Sequence, residues 1–309
     1  MMKNKKWTLA EMPYQSGKVV VITGGNSGLG FESAKAFALK GANVVLACRS
    51  LEKSEAAKAE ILRIVPKASI EIIAIDLMDL SSVRSFAESF KEKYNRLDIL
   101  MNNAGIMMNP YTVTNDGFES QMGTNHLGHF ALTGMLIELI KDTPNSRVVT
   151  VSSLAHKQWK INLNNFLFEN GKGYNSMKAY SHSKLANLLF TYQLQRLFKE
   201  NNINSIAVAA HPGASYTNLG RFLEGKLMAR LLKPLIVKVL PSSASGALPQ
   251  IRAASDPNVN GGDYYGPAGF MEFAGSPVLV RSSKTSHSIN DAQRLWEISE
   301  KLTGVKYRF

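Results

Sequence analysis

A β-branched run that breaks into glycines and resumes as a helix constrains this chain more than any other feature. Val19, Val20, Val21, Ile22 and Thr23 have the composition of a buried strand. The chain then reads Thr23-Gly24-Gly25-Asn26-Ser27-Gly28-Leu29-Gly30, and residues 28–39 place Leu29, Phe31, Ala34, Phe37 and Ala38 at helical spacing. Glycines let the backbone approach a pyrophosphate, and the amides and dipole of a helix N-terminus favour its charge. A glycine-rich turn alone is a weak signal, but between a strand and a helix it has the context that dinucleotide binding requires.

The same alternation continues downstream. Residues 43–48, 70–75, 97–101, 147–151 and 204–209 read as strands, and 52–64, 80–94, 118–140 and 178–199 as helices. The strands are apolar throughout, as in a parallel sheet covered on both sides. The expected fold is therefore α/β: a single-domain, Rossmann-type, doubly wound parallel sheet with helices on both faces. Beyond Ala210 the alternation stops. Residues 242–254 read as a helix, 263–266 as a short last strand and 289–302 as a terminal helix. No segment qualifies as a linker, so residues 1–309 are expected to form one domain. Within it, 14–212 is the nucleotide-binding and catalytic core, 213–254 a substrate lid region and 255–309 a carboxyl-terminal extension.

Composition excludes several classes. Cys48 is the only cysteine, which rules out an intrachain disulfide framework and any cysteine-rich metal site; its apolar neighbours Val44 to Ala47 mark it as a buried strand thiol. The histidines at 126, 129, 156, 182 and 211 lack metal-motif spacing, so no metal is expected. The net charge of +12 suits an anionic cofactor. No basic stripe interleaved with aromatics argues for nucleic acid. The basic start lacks the apolar stretch of a secretory signal, and no run approaches the roughly 20 apolar residues of a spanning helix. A cytoplasmic protein is expected. Residues 221–240 mix leucines and other apolar residues with Lys226, Arg230, Lys233 and Lys238. They read as a lid over a lipophilic substrate, as a packed helix pair, or as a basic patch on a membrane surface. A homodimer is one option the sequence leaves open.

The strand ends carry the candidate cofactor residues. The second strand ends with Arg49 and no acid, where NAD-preferring folds place a carboxylate for the ribose hydroxyls. A guanidinium pairs bidentately with a 2′-phosphate, which favours NADP, with NAD as the alternative; Arg49 could equally open the next helix as an exposed residue. Asp76-Leu77 ends the third strand and Asn102-Asn103-Ala104-Gly105 the fourth. Small residues there allow a nucleotide to lie across the strand ends.

Tyr180 and Lys184 lie four apart on one helix, so they share a face. A phenol titrates near pH 10, too high for easy proton transfer, and a nearby ammonium is expected to lower it. Ser152-Ser153 ends the fifth strand, with Ser153 27 residues before Tyr180, and Asn125 lies on the preceding helix.

Taken together, these residues resemble the short-chain dehydrogenase/reductase superfamily, over nearly the whole chain and in the family's order. The long interval from Ser153 to Tyr180, the extra carboxyl-terminal length and Leu46-Ala47-Cys48-Arg49-Ser50 look like its retinol-dehydrogenase-like branch. Trp7 to Pro13, and Val280 through Trp296, look like bacterial members of that branch. The resemblance implies an enzyme interconverting a small-molecule alcohol and carbonyl with NADP(H), on a lipophilic substrate. It implies that Tyr180 gives or takes the proton on the substrate oxygen and that Ser153, the second serine of its pair, hydrogen-bonds that oxygen. Lys184 tunes Tyr180 and binds the nicotinamide ribose, and Asn125 orders a water in the proton relay. Gly24, Asn26, Ser27, Gly28, Leu29, Gly30, Arg49, Asp76, Leu77, Asn103, Ala104, Gly105, Pro212, Gly213 and Thr217 surround the cofactor, Asp76 at the adenine and Pro212, Gly213 and Thr217 at the nicotinamide. Asn26 stands where some NADP-specific relatives carry a second basic residue. A catalytically silent NADP-binding sensor and a reductase of a pigment-like double bond are the alternatives.

Overall fold

Alternate residues of each strand enter different cores, and this organises the molecule. The computed structural model describes residues 6–213 and 242–309. Strands β1 (Val19–Thr23), β2 (Asn43–Cys48), β3 (Ser69–Ala74), β4 (Ile99–Asn102), β5 (Ser146–Val151), β6 (Ser205–Ala210), β7 (Tyr264–Pro267) and β8 (Pro277–Leu279) form one sheet in the order β3-β2-β1-β4-β5-β6-β7-β8. Pairing is parallel from β3 to β7, with Val20 opposite Val44 and Val21 opposite Val45; only β7 and β8 run antiparallel. Val20, Ile22, Val44 and Leu46 face α1 (Gly28–Leu39) and α2 (Leu51–Ile64) through Phe37 and Ile61. Val19, Val21, Val45 and Ala47 face α3 (Leu80–Lys93) through Phe86 and Phe90. Burying both faces is what demands unbroken Val and Ile runs. The doubly wound parallel sheet expected from the alternation is present. The order reverses between β2-β1 and β4, which opens a crevice at the carboxyl ends of β1 and β4.

Two expectations need correction. The single helix expected over 118–140 is broken into α4 (Ser120–Met122), a π-helical turn at Gly123–Leu127, α5 (Gly128–Met135) and α6 (Ile137–Asp142). The Gly128 amide reaches back to the Gly123 carbonyl, adding one residue to the turn. The segment at 263–266 is also not the last strand. It belongs to β7 and turns through a hairpin into β8, whose three residues begin at Pro277 and carry no alternation to read. The long α7 (Ser176–Glu200) is capped by the Asn175 side chain, which accepts from the Lys178 amide at 3.0 Å. Among the described residues the remaining α-helices are α8 (Ser243–Ser255) and α9 (Ile289–Thr303). Thr217 and residues 214–241 of the expected lid lie outside the described residues.

Candidate active site

The turn from β1 into α1 is built for close backbone approach. A side chain at Gly30 would stand 2.2 Å from the Gly24 carbonyl oxygen, so only glycine fits there. Ser27 caps α1 in extended conformation without using its hydroxyl on the helix, which leaves the first-turn donors to a ligand. The Thr23 hydroxyl ties the crevice together. It accepts from the amides of Asn103 and Ala104, each at 2.9 Å, and lies 2.8 Å from His129 Nε2. The Asn103 side chain donates through Nδ2 to the Thr23 carbonyl at 2.7 Å. Its Oδ1 accepts from Gln250 of α8 at 3.0 Å, and Gln250 also bonds Ser33 of α1 at 2.8 Å. Thr23 heads the glycine motif, but the bonds that Thr23, His129 and Gln250 make could not be read from the sequence because their partners are distant in the chain. No local pattern marks them.

A cleft of about 490 Å³ runs along these strand ends. Gly24, Asn26 to Gly30, Arg49, Asp76, Leu77, Asn103 to Gly105, Tyr180, Lys184 and Pro212 line it, together with Lys53 and Thr124. Asn125, Ser153 and Gly213 stand outside this lining. The Arg49 guanidinium is 72% exposed and lies 3.7 Å from the Asp76 carboxylate, a contact that solvent weakens. Lys53 on α2 adds a second cation to the same end of the cleft, unsignalled in the sequence because its helix carries charges along its length. Cys48 is buried, and burial pushes its thiol up, away from reactivity.

At the other end of the cleft Tyr180 and Lys184 are both buried on one face of α7. Lys184 Nζ lies 5.8 Å from the centre of the Tyr180 ring and donates to the Val151 carbonyl at 3.0 Å. Burial pushes the Tyr180 phenol up, and its hydrogen bond with Ser153 offsets part of that. Burial also brings Lys184 down to about 8. The expected lowering of the phenol by the ammonium is therefore corrected: desolvation outweighs a cation that is directed at a carbonyl. Of the two serines, Ser152 borders the cleft, but its hydroxyl is spent on the Lys184 carbonyl at 2.8 Å. Ser153 is the one beside the phenol.

Asn125 sits in the π-helical turn and is fully buried. Its side chain accepts from the Ile106 amide at 2.8 Å and donates to the Ile106 carbonyl and the Ser183 hydroxyl, each at 2.9 Å. It thereby joins the β4 loop to α7. The buried histidines serve the framework: His126 pairs with Ser299 of α9 at 3.0 Å, and His156 with the Ser153 carbonyl at 2.6 Å. Among the described residues no cluster of His, Cys, Asp or Glu could hold a metal ion, and no helix is long and apolar enough to cross a membrane.

The cleft fits a dinucleotide on three counts. Gly30 leaves backbone open to a pyrophosphate, the volume falls in the range of small-molecule sites, and the buried Thr124 hydroxyl lacks a protein partner at the cleft wall.

Comparison with known proteins agrees. Residues 18–166 match the family model described as short chain dehydrogenase. Mouse retinol dehydrogenase 12 is 39% identical over 94% of this chain and 88% of its own length. Human retinol dehydrogenase 11 is 47% identical over 66% of this chain and 63% of its own length. Among solved structures, an uncharacterized protein from Mycobacterium paratuberculosis aligns with a TM-score of 0.82 and 39% identity, covering 99% of this chain and 100% of that one. The Pseudomonas aeruginosa RhlG/NADP complex aligns at 0.63 with 21% identity, over 81% of this chain and 94% of that one, a likeness of fold alone.

Proposed function

Since the chain belongs to the short-chain dehydrogenase/reductase family, on its retinol-dehydrogenase-like branch, and is an oxidoreductase, we propose that it interconverts a lipophilic alcohol and its carbonyl using NADP(H). The observation that carries this reading is the placing of Tyr180 and Lys184, with Ser153 beside the phenol, at one end of a cleft whose other end holds Arg49 and Lys53.

A bound nicotinamide supplies or accepts the hydride. The protein has to hold the substrate oxygen and move one proton at it. In the reducing direction the Tyr180 hydroxyl donates its proton to the oxygen that gains charge, and in the oxidising direction the phenolate takes the proton back. Ser153 holds that oxygen with a second hydrogen bond and steadies the phenolate. Lys184 is the nearby cation, and its positive charge favours the phenolate over the phenol. Asn125 keeps the Ile106 backbone and α7 in register, so the cleft wall and the phenol keep their spacing.

At the adenosine end, Arg49 and Lys53 offer only donors. They suit a 2′-phosphate better than bare ribose hydroxyls. The Arg49–Asp76 contact is no obstacle, because an exposed pair at 3.7 Å is exchanged at little cost. Titration of the purified chain with NADPH and NADH at one ionic strength tests the preference. NADPH should bind about ten- to a hundred-fold more tightly, the worth of one charge-assisted contact. Arg49→Ala should remove most of that difference and leave NADH unchanged. Equal dissociation constants in the wild type would make Arg49 a surface residue only.

A further inference from the structure

The tip of the β7–β8 hairpin carries an unusual turn. Met271 and Glu272 both adopt left-handed backbone, at φ 50° and 60°, although neither is glycine. Such conformations persist where surrounding contacts over-determine them. Here the contacts converge on His211, the residue that follows β6. His211 Nε2 lies 2.9 Å from Glu272 Oε2, and Nδ1 accepts from the Gly213 amide at 3.2 Å. Lys157, just after β5, reaches the other Glu272 oxygen at 3.2 Å. The fit leaves no room around it. A side chain at Gly266 would stand 2.0 Å from His211 Nε2, and one at Gly213 would stand 2.2 Å from the Phe273 carbonyl oxygen.

We infer that Glu272 is a positioning residue: by accepting the Nε2 proton of His211 it fixes the ring tautomer that holds the Gly213 amide, and so sets the Pro212–Gly213 backbone at the cleft. The inference rests on the assignment of Pro212 and Gly213 to the nicotinamide. Neutral imidazole carries one N–H. With that proton on Nε2, directed at Glu272, Nδ1 presents a lone pair to Gly213. Without an acceptor at Nε2, the proton can move to Nδ1, where it meets the Gly213 N–H donor against donor. Addition of a second proton has the same result. The groups facing His211 are Glu272, which favours the imidazolium, and Lys157 and the neighbouring His156, which oppose it; the Tyr264 ring packs 5.2 Å away on β7. Burial is the largest influence and keeps the ring neutral.

Two variants separate this role from simple packing. Gln at 272 still accepts from Nε2–H, whereas Ala does not. Nitrogen NMR of the wild-type histidines, without cofactor, should place the His211 proton on Nε2. Glu272→Ala should lose that preference and raise the KM for NADPH about ten-fold, the worth of one polar contact, leaving the KM for the carbonyl substrate unchanged. Glu272→Gln should keep the tautomer and stay within about two-fold of wild type. Because the carboxylate charge is gone, its loss of NADPH binding on acidification should move to lower pH. A wild-type His211 protonated on Nδ1, or Ala and Gln variants that behave alike, would overturn the inference. The tautomer measurement uses the unmodified chain, so it decides even if Glu272→Ala does not fold. A wild-type chain that neither binds nor turns over NADPH would overturn the NADP(H) reading instead, and the tautomer result would stand apart from it.

Discussion

Burial brings Lys184 down to about 8, so the residue stays charged at neutral pH only at an energetic cost. That cost is a stability statement. The folded group releases its proton before the unfolded one, whose ordinary value is 10.5. Its contribution therefore improves as pH rises from about 8 towards 10. Lys184→Met removes the buried ammonium and leaves the Val151 carbonyl with its second donor, Asn187, at 3.1 Å. The variant should be more stable than wild type at neutral pH by about 1–3 kcal/mol, and should lose turnover. Thermal unfolding at about pH 7, with activity measured alongside, checks both outcomes. Lower stability in the variant would mean that the ammonium is better compensated than its contacts indicate. The four-residue spacing of Tyr180 and Lys184 was legible in the sequence because a helix puts such a pair on one face. The rise of the phenol was not, since it follows from burial by elements far apart in the chain.

The π-helical turn is the clearest case at the scale of the element. Gly123 to Leu127 read as ordinary helix, and nothing in their side chains marks the extra residue. The turn matters because it seats Asn125 against Ile106 and Ser183. Asn125→Ala leaves the amide and carbonyl of Ile106 without these partners. A loss of about 1–3 kcal/mol in stability is expected, together with weaker cofactor binding as the β4 loop slackens. Denaturant unfolding and NADPH titration of the variant measure both. Unchanged binding would confine Asn125 to other steps. Strands β1, β2, β4, β5 and β6 were legible from their apolar runs, since both faces are buried. The β7–β8 hairpin was not fully legible: β8 has only three residues and lies at the sheet edge.

Across the whole molecule, the carboxyl-terminal segment clamps the framework behind the site. Trp296 of α9 packs against Phe130 at 5.1 Å and Phe190 at 5.8 Å, and the Tyr307 hydroxyl donates to the Phe130 carbonyl at 2.7 Å. The extra carboxyl-terminal length announced an extension there but not its target. Buried histidines make this framework sensitive to acid. Burial brings His126 down to about 3 and His129, His156 and His182 to about 4, all from an ordinary 6.5. The unfolded chain thus takes up these protons first. Stability is expected to be full above about pH 6.5 and to fall towards pH 4, by up to about 1.4 kcal/mol per pH unit for each histidine. Denaturant unfolding at about pH 7 and pH 5 checks this, and His182→Phe, which keeps the ring stack on Phe168, should shallow the slope. On the proposed function, this framework presents Tyr180 as the proton-transfer group of an NADP(H)-dependent oxidoreductase. The most direct test of that role is a side-by-side assay of wild type and Tyr180→Phe, with NADPH and a lipophilic aldehyde, alongside NADPH binding to each. Turnover is expected in the wild type, none in the variant, and nearly equal binding in both. Full turnover in Tyr180→Phe would contradict that role.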